Sequence, residues 1–409
     1  MTNHFNTFHL GDVSEIIAGG DKPKNFSLVR TSSKNVPVFA NAEKDKGLQG
    51  YTDIPRITDP AVTMAARGSN VGFVAIRKEP YFPIVRLLSL IPHGELLDVD
   101  YLYYNLKQNR KTGTGSGQPQ ITIPDISSRT ISLPPISLQK KLAKVLSVLD
   151  EKIELNNKIN AELEAMAKLI YDYWFVQFDF PDANGSPYKS SGGKMVYNQE
   201  LKREIPEGWL VKELSQLLRF ERGISYKSKD IIGTGIPMIN LNSFNLNGQY
   251  KHKGLKFYSG TYKEHKVVSA GDLVIAITDV TRNADIIGKA FTIPDLFDED
   301  ILISCDVAKV IPSELVNSQY LEPLFNSEHY HRYIKHFASG TLVLHLNLDG
   351  VNWCKIPVPP VNILNRYKEL RTGIDKKLTL TLKENKQLVE LRNWLLPMLM
   401  NGQVTISNS

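Results

Sequence analysis

The strongest constraint in this sequence is that it repeats. Pro134-Pro135, followed by a long amphipathic segment, recurs as Pro359-Pro360 followed by another, 225 positions later. Carried on without a gap, the same offset lays Asp150 on Asp375, Ile153 on Leu378, Lys158 on Lys383, Asn160 on Asn385 and Leu163 on Leu388. A chain built twice from a globular segment and then a helix offers two similar surfaces, which suits a target in two parts.

The repeated segments are helical by their periodicity. Apolar residues run Leu142, Val145, Leu149, Ile153, Ile159, Leu163, Met166 and Ile170 in the first, and Leu370, Ile374, Leu378, Leu382, Leu388, Leu391, Leu395 and Leu399 in the second. The spacing is mostly three or four, with Lys and Glu between. A helix of that length is a rod of about 50 to 60 Å at roughly 1.5 Å per residue, and one apolar stripe on such a rod needs a partner. The simplest partner is the other helix. The expected antiparallel coiled coil has Leu149, Ile153, Asn160 and Leu163 on one side, and Ile374, Leu378, Asn385 and Leu388 on the other. Asn160 facing Asn385 would fix its register. The bland alternative packs each helix on its own globular segment.

Ahead of each helix the pattern is α+β. Pro37–Ala40, Ala61–Ala65, Gly72–Ile76 and Ile84–Leu90 read as strands, and Asp98 opens a helix that the Gly113–Gly117 run ends. Residues 271–277 and 301–303 repeat the strands, and a helix is expected from Ser318 to Phe337. The expected architecture is two similar globular α/β domains with two long antiparallel helices and an internal pseudo-twofold repeat. Its parts are a first domain (1–135), a first helix (136–178), an exposed linker (179–205), a second domain (206–360), a second helix (361–404) and a tail (405–409). Asp182 and Glu200-Leu201-Lys202 resemble a metal-nuclease pattern. They flank a loop instead of sharing a sheet, so no metal site is expected.

Forty-nine Lys and Arg against 43 Asp and Glu leave a formal charge of +6, which is compatible with nucleic acid without requiring it. The two cysteines, Cys305 and Cys354, sit in apolar surroundings that predict buried free thiols, and they rule out a disulfide framework or a Cys-rich zinc site. No apolar run is long enough to span a bilayer and no leader pattern opens the chain, so a cytoplasmic protein with no membrane contact is expected.

Several segments together resemble the specificity subunits of Type I restriction-modification systems. They are Ile131–Pro135 leading to Gln139-Lys140-Lys141, Leu149–Asn156, Tyr173–Asp179, Ile205–Trp209 and Leu395–Val404. In this order around two dissimilar segments they are specific, and they span nearly the whole chain. Two departures are local: Phe8–Asp12 begins without an Ile-Pro-Glu-Gly-Trp run, and Ile363-Leu364-Asn365-Arg366 replaces the Gln-rich helix start. The resemblance implies a non-catalytic subunit whose two target recognition domains each read half of a split double-stranded DNA sequence. The helices would set the spacer and dock two methyltransferase subunits, and restriction and translocase subunits would complete the assembly. S-adenosylmethionine, ATP and Mg are expected on those partners and no cofactor on this chain. In agreement, the sequence holds neither a phosphate-binding Gly-x-x-x-x-Gly-Lys-Ser/Thr loop nor an Asn/Asp-Pro-Pro-aromatic tetrapeptide.

DNA reading needs cations for phosphates, and amides, hydroxyls or Arg for base edges. Polar loops supply the candidates. The first domain offers Lys44, Lys46, Gln49 and Tyr51, then Arg67, Ser69 and Asn70, then Gln118 and Gln120. The second offers Arg222, Ser225, Tyr226 and Lys227, then Asn240 and Asn242, then Thr278, Asp279, Thr281, Arg282 and Asn283. The last group follows an apolar strand, where a rigid scaffold positions functional groups. For each residue a solvated loop position is the competing reading. For the chain, the competitor is a protein-interaction scaffold that binds no DNA.

Overall fold

The computed structural model describes residues 5–110, 120–281 and 283–404. It resolves into two compact units, one of Met1–Leu155 with Asn385–Ser409 and one of Asn156–Glu384. Both long helices contribute to both units, Ile136–Tyr171 and Val361–Met400.

In the first unit a four-stranded antiparallel sheet runs in the order Ser14–Ala18, Leu88–Pro92, Ala61–Met64, Val74–Arg77. A three-stranded sheet, Leu48–Thr52, Val36–Phe39 and Phe82–Pro83, has its last pair parallel. The helix Val99–Gln108 buries Tyr101, Leu102, Tyr104 and Leu106 against the four-stranded sheet, and Asp98 caps it by accepting the Tyr101 N–H at 3.0 Å.

The second unit repeats this plan strand for strand. Its four-stranded sheet is Leu218–Arg222, Val307–Pro312, Leu273–Ala276, Ala290–Thr292, and its three-stranded sheet is Lys256–Tyr258, Ile231–Ile239, Leu302–Ile303, again with the last pair parallel. Asn317 takes the place of Asp98, accepting the Tyr320 N–H at 2.9 Å. Tyr101 Oη donates to the Ser132 carbonyl at 3.2 Å and Tyr320 Oη to that of Pro357 at 2.5 Å. Ser132 and Pro357 are separated by the same 225 positions as the Pro-Pro pairs, so the register read from the helices extends into the strands that feed them.

The long helices pair antiparallel within each unit. In the second, Asn156 Nδ2 donates to Glu384 at 2.7 Å, Thr381 donates its hydroxyl to Asn160, and Tyr171 and Trp174 pack on Tyr367. In the first, Leu142, Ala143 and Leu146 share a core with Leu396, Leu399 and Met400, and Arg392 reaches Asp150 at 2.6 Å. Ile374 is buried and Leu149, Ile153, Leu163, Leu378 and Leu388 are half-buried, as a seam requires. One part of the expected seam is corrected. Asn160 meets Thr381, one helical turn before Asn385, because an antiparallel pair sets residues of equal depth against each other and not residues related by the repeat. Val145, Met166, Leu370 and Leu391, read as stripe residues, are exposed.

The segment expected as an exposed linker is folded. Met195–Asn198 and Arg203–Pro206 form a hairpin, Phe180 stacks on Tyr188 and Trp209, and the buried Asp179 carboxylate accepts the Ser190 N–H and hydroxyl at 2.7 and 2.6 Å. The helix before it ends in a wide turn over Asp172–Val176.

Candidate nucleic-acid interface

In each unit the loops leaving the strands hold the residues singled out above, and the structure sorts them. In the first unit Lys44 is exposed in a short turn whose Asp45 and Lys46 are left-handed, at φ 50 and 52. Lys46 is exposed too, but it faces Glu154 at 3.4 Å. Gln49 is exposed at the start of a strand that holds half-buried Tyr51. Arg67 forms an isolated antiparallel bridge with Gln120, so these two loops meet, and the turn Gly68–Asn70 presents Ser69 outward. Gln118 lies outside the described residues.

In the second unit Arg222, Ser225, Lys227, Asn242 and Asn283 are exposed. Tyr226 is half-buried, its hydroxyl accepting from Lys256 at 2.7 Å. Three expected contacts are corrected. Asn240 is buried, donating to Gly254 O at 2.8 Å and accepting from Asn242 N at 3.0 Å. Thr278 is buried and donates to Asp306 at 2.9 Å. Asp279, fully buried, gathers the N–H groups of Thr281, Ile286 and Ile287 at 2.6 to 2.8 Å. A carboxylate with three backbone donors is the centre of a loop, not a free acceptor. Thr281 joins it by capping Asp285 N at 2.8 Å. Of the cluster Thr278–Asn283, then, the first members shape the surface that Asn283 presents; Arg282 lies outside the described residues.

One turn in the first unit gives no signal in the sequence. The apolar run Ile84-Val85-Arg86-Leu87 predicts the start of a strand, yet Val85 and Arg86 both have positive φ and are exposed, and the strand begins at Leu88. The turn is tied to three loops. Val85 N and Arg86 N donate to Gly20 O and Gly19 O at 2.8 and 3.0 Å, and Asn41 Nδ2 donates to Val85 O at 2.6 Å. The same Asn41 accepts the Ala66 N–H at 3.0 Å. Those loops continue into Lys22 and Lys24, Lys44, and Arg67. Its counterpart in the second unit holds Cys305, which is exposed and not buried as its neighbours suggested. Cys354 is half-buried, and burial pushes its thiol up to about 12.

Among the described residues no cluster of His, Cys, Asp and Glu could hold a metal, and no helix is long and apolar enough to cross a membrane. Asp182, of the nuclease-like pattern, caps its own turn at Asn184 and Ser186, and Glu200 pairs with Lys355 at 2.7 Å.

Two repeated sheet-and-helix units with polar loops at their strand ends define a duplicated recognition protein. Residues 3–165 match the family model of the Type I restriction modification DNA specificity domain. The chain is 25% identical to the MjaIX specificity subunit of Methanocaldococcus jannaschii, over 95% of this chain and 88% of that one. It is 30% identical to the C-terminal type I specificity sequence S.MpnORF289P of Mycoplasma pneumoniae, over 30% of this chain and 84% of the relative. The crystal structure of a Type I restriction-modification S subunit from M. genitalium shares its fold, with a TM-score of 0.63 at 16% identity over 100% of this chain and 98% of the other. The chain belongs to the family of Type I restriction-modification specificity subunits.

Proposed function

We propose that this chain is the DNA-reading, non-catalytic subunit of a Type I restriction-modification complex, each unit reading one half of a bipartite duplex sequence. The observation that carries this is the contrast between scaffold and surface. The two units share strand order, parallel pairs and helix caps, yet the side chains at matching loop positions differ: half-buried Arg67 stands where the second unit has buried Thr278, and half-buried Gln120 where it has exposed His345. A scaffold that repeats while its loops diverge suits two readers of different sequences. Lys22, Lys24 and Lys44 in the first unit, and Arg222 and Lys227 in the second, are placed to take phosphates. Ser69, Asn70, Asn242 and Asn283 offer hydroxyl and amide groups to bases.

The helices would set the unread spacer and dock two methyltransferase subunits, which bring S-adenosylmethionine and flip the target base. Val148, Leu155 and Met166 on the first helix and Leu380 and Trp394 on the second remain exposed, 47% or more, and supply apolar surface for such docking. Restriction subunits would bring ATP and Mg, and the assembly would work in the cytoplasm. The test is selection from randomised duplexes by the chain assembled with its methyltransferase subunits. Two short blocks separated by a fixed, unread gap are expected. A single uninterrupted motif, or no enrichment, would refute the proposal.

A further inference from the structure

The turn Ile84–Leu87 is held in a conformation its sequence resists. Val85 has φ 52 and Arg86 φ 55, with Leu87 N closing the turn on Ile84 O at 3.1 Å. Two left-handed residues in succession call for glycine or asparagine, and a β-branched valine is among the poorest choices. The surroundings over-determine it. Besides the bonds to the Gly19 and Gly20 carbonyls and from Asn41, the backbones approach so closely that a Cβ on Gly19 would lie 2.8 Å from the Pro83 carbonyl carbon. Strain kept in place in this way is a reason to look for a role.

The strained residues project outward. Val85 is 59% exposed, and Arg86 is exposed, its side chain bonded to no described residue. Around them the three braced loops lead to Lys22, Lys24, Lys44 and Arg67. We propose that this turn is the base-reading tip of the first recognition unit. The surrounding lysines take backbone phosphates, Arg86 donates two N–H groups to O6 and N7 of a guanine in the major groove, and Val85 packs against a neighbouring thymine methyl. The proposal rests on the DNA-reading function above and assigns a base contact within it.

The second unit supplies the contrast. Ser304-Cys305-Asp306-Val307 is the same turn: Val307 N bonds Ser304 O at 2.9 Å, Ser304 N bonds Ile239 O as Ile84 N bonds Phe39 O, both at 2.8 Å, and Gly223 N bonds Val307 O as Gly19 N bonds Leu87 O. Neither Cys305 nor Asp306 has a positive φ, and Asp306 turns inward to take the hydroxyls of Thr278 and Ser304 at 2.9 and 3.3 Å. There the turn is a fastener and carries no cation. Only the first half-site should depend on it for guanine.

The experiment compares wild type, Arg86→Ala and Val85→Gly, each assembled with its methyltransferase subunits and presented with randomised duplexes. Arg86→Ala should lose preference for one G·C pair, in one half-site, by roughly five- to a hundredfold, with the other half-site and the gap unchanged. Val85→Gly should relax an adjacent position while its thermal midpoint equals or exceeds that of wild type, since glycine relieves the strain. If Arg86→Ala keeps the full motif, or weakens all duplexes equally as a phosphate contact would, the assignment is overturned. The same follows if Val85→Gly loses stability and keeps its motif. A wild-type complex that selects no bipartite motif overturns DNA reading itself, and is told apart from those results without any variant.

Discussion

The two units are alike in backbone and unlike in how each recognition domain is fastened to its helices. At the start of the first long helix, Gln139 is fully buried and works as a polar staple. It donates to Leu96 O at 2.8 Å and Pro134 O at 2.9 Å and accepts from Asp98 N at 3.0 Å. The equivalent position in the repeat is Leu364, equally buried but packed with Tyr171, Trp174, Phe175 and Tyr367. Further along, the first unit places an acid on the helix: Asp150 gathers Tyr104, Lys107 and Arg392 at 2.9, 3.3 and 2.6 Å. The second keeps an acid at the matching position, Asp375, but gives it an arginine from its own helix. Arg371 on the helix holds Glu322 at 2.9 Å and Asp375 at 2.7 Å. The same fold is therefore reached through different chemistry. Strand order and helix phase need only apolar patterning, whereas each fastener is particular to its own half.

Removing these fasteners should break the likeness unevenly. The largest loss is expected for Arg371→Ala, because its side chain is 11% exposed and its departure strands the Glu322 carboxylate, itself only 15% exposed. About 3 to 5 kcal/mol should disappear from denaturant unfolding of the second unit, and a loss below about 1 would mean the network is solvated. Next comes exchanging the helix starts. Gln139→Leu strands one backbone donor and two acceptors and should cost about 2 to 4 kcal/mol, while Leu364→Gln buries an amide with no partner and should cost a similar amount. Neutrality of both would show that the two anchors are interchangeable. Asp150→Ala should cost less, about 1 to 3 kcal/mol, since its side chain is 26% exposed.

The smallest effect carries the most information because its sign differs between the units. Burial works against the Asp150 carboxylate, but Lys107 and Arg392 overcome it and hold its pKa below the ordinary value. Its stabilising contribution is thus full above the usual carboxylate range and fades as pH falls through its depressed pKa. Glu164 in the second unit is pushed up by burial, against a hydrogen bond from Gln249, and Asp375 is pushed up by burial and by Glu322 in spite of Arg371. For these the folded state binds the proton more tightly, so stability is lost as pH rises through their raised values. Glu164→Gln should therefore raise the thermal midpoint at pH 7 by an amount corresponding to roughly 1 kcal/mol or less, with the gain shrinking toward pH 4. Asp150→Asn should lower it at pH 7, with the deficit shrinking only below about pH 4. Gains or deficits that do not move with pH would contradict these protonation assignments.

Much of this was legible in the sequence. The 225-residue offset predicted the duplication, and the apolar spacing predicted two long helices, because both depend on pattern alone. The failures have particular causes. Ile84–Leu90 reads as one apolar strand, and nothing local reveals that Val85 and Arg86 are forced left-handed by hydrogen bonds to Gly19, Gly20 and Asn41, each more than 40 positions away. Residues 179–205 look like loop because Gly, Ser and Pro dominate, while Phe180, Tyr188 and Trp209 anchor them through contacts that no window detects. The polar neighbours of Asp279 predict a surface group. Its three N–H donors come from a loop that folds back over it.

Exchange of one unit's recognition segment tests most directly whether the two halves read independently. Residues 14–92, which carry Lys22, Lys24, Lys44, Arg67 and the Ile84–Leu87 turn, would be replaced in the native chain by the matching segment of a relative with a different target, and methylated bases mapped by single-molecule sequencing. One half of the methylated motif should change, with the other half and the gap preserved. Change of both halves together, or of neither, would contradict the assignment of one half-site to each unit.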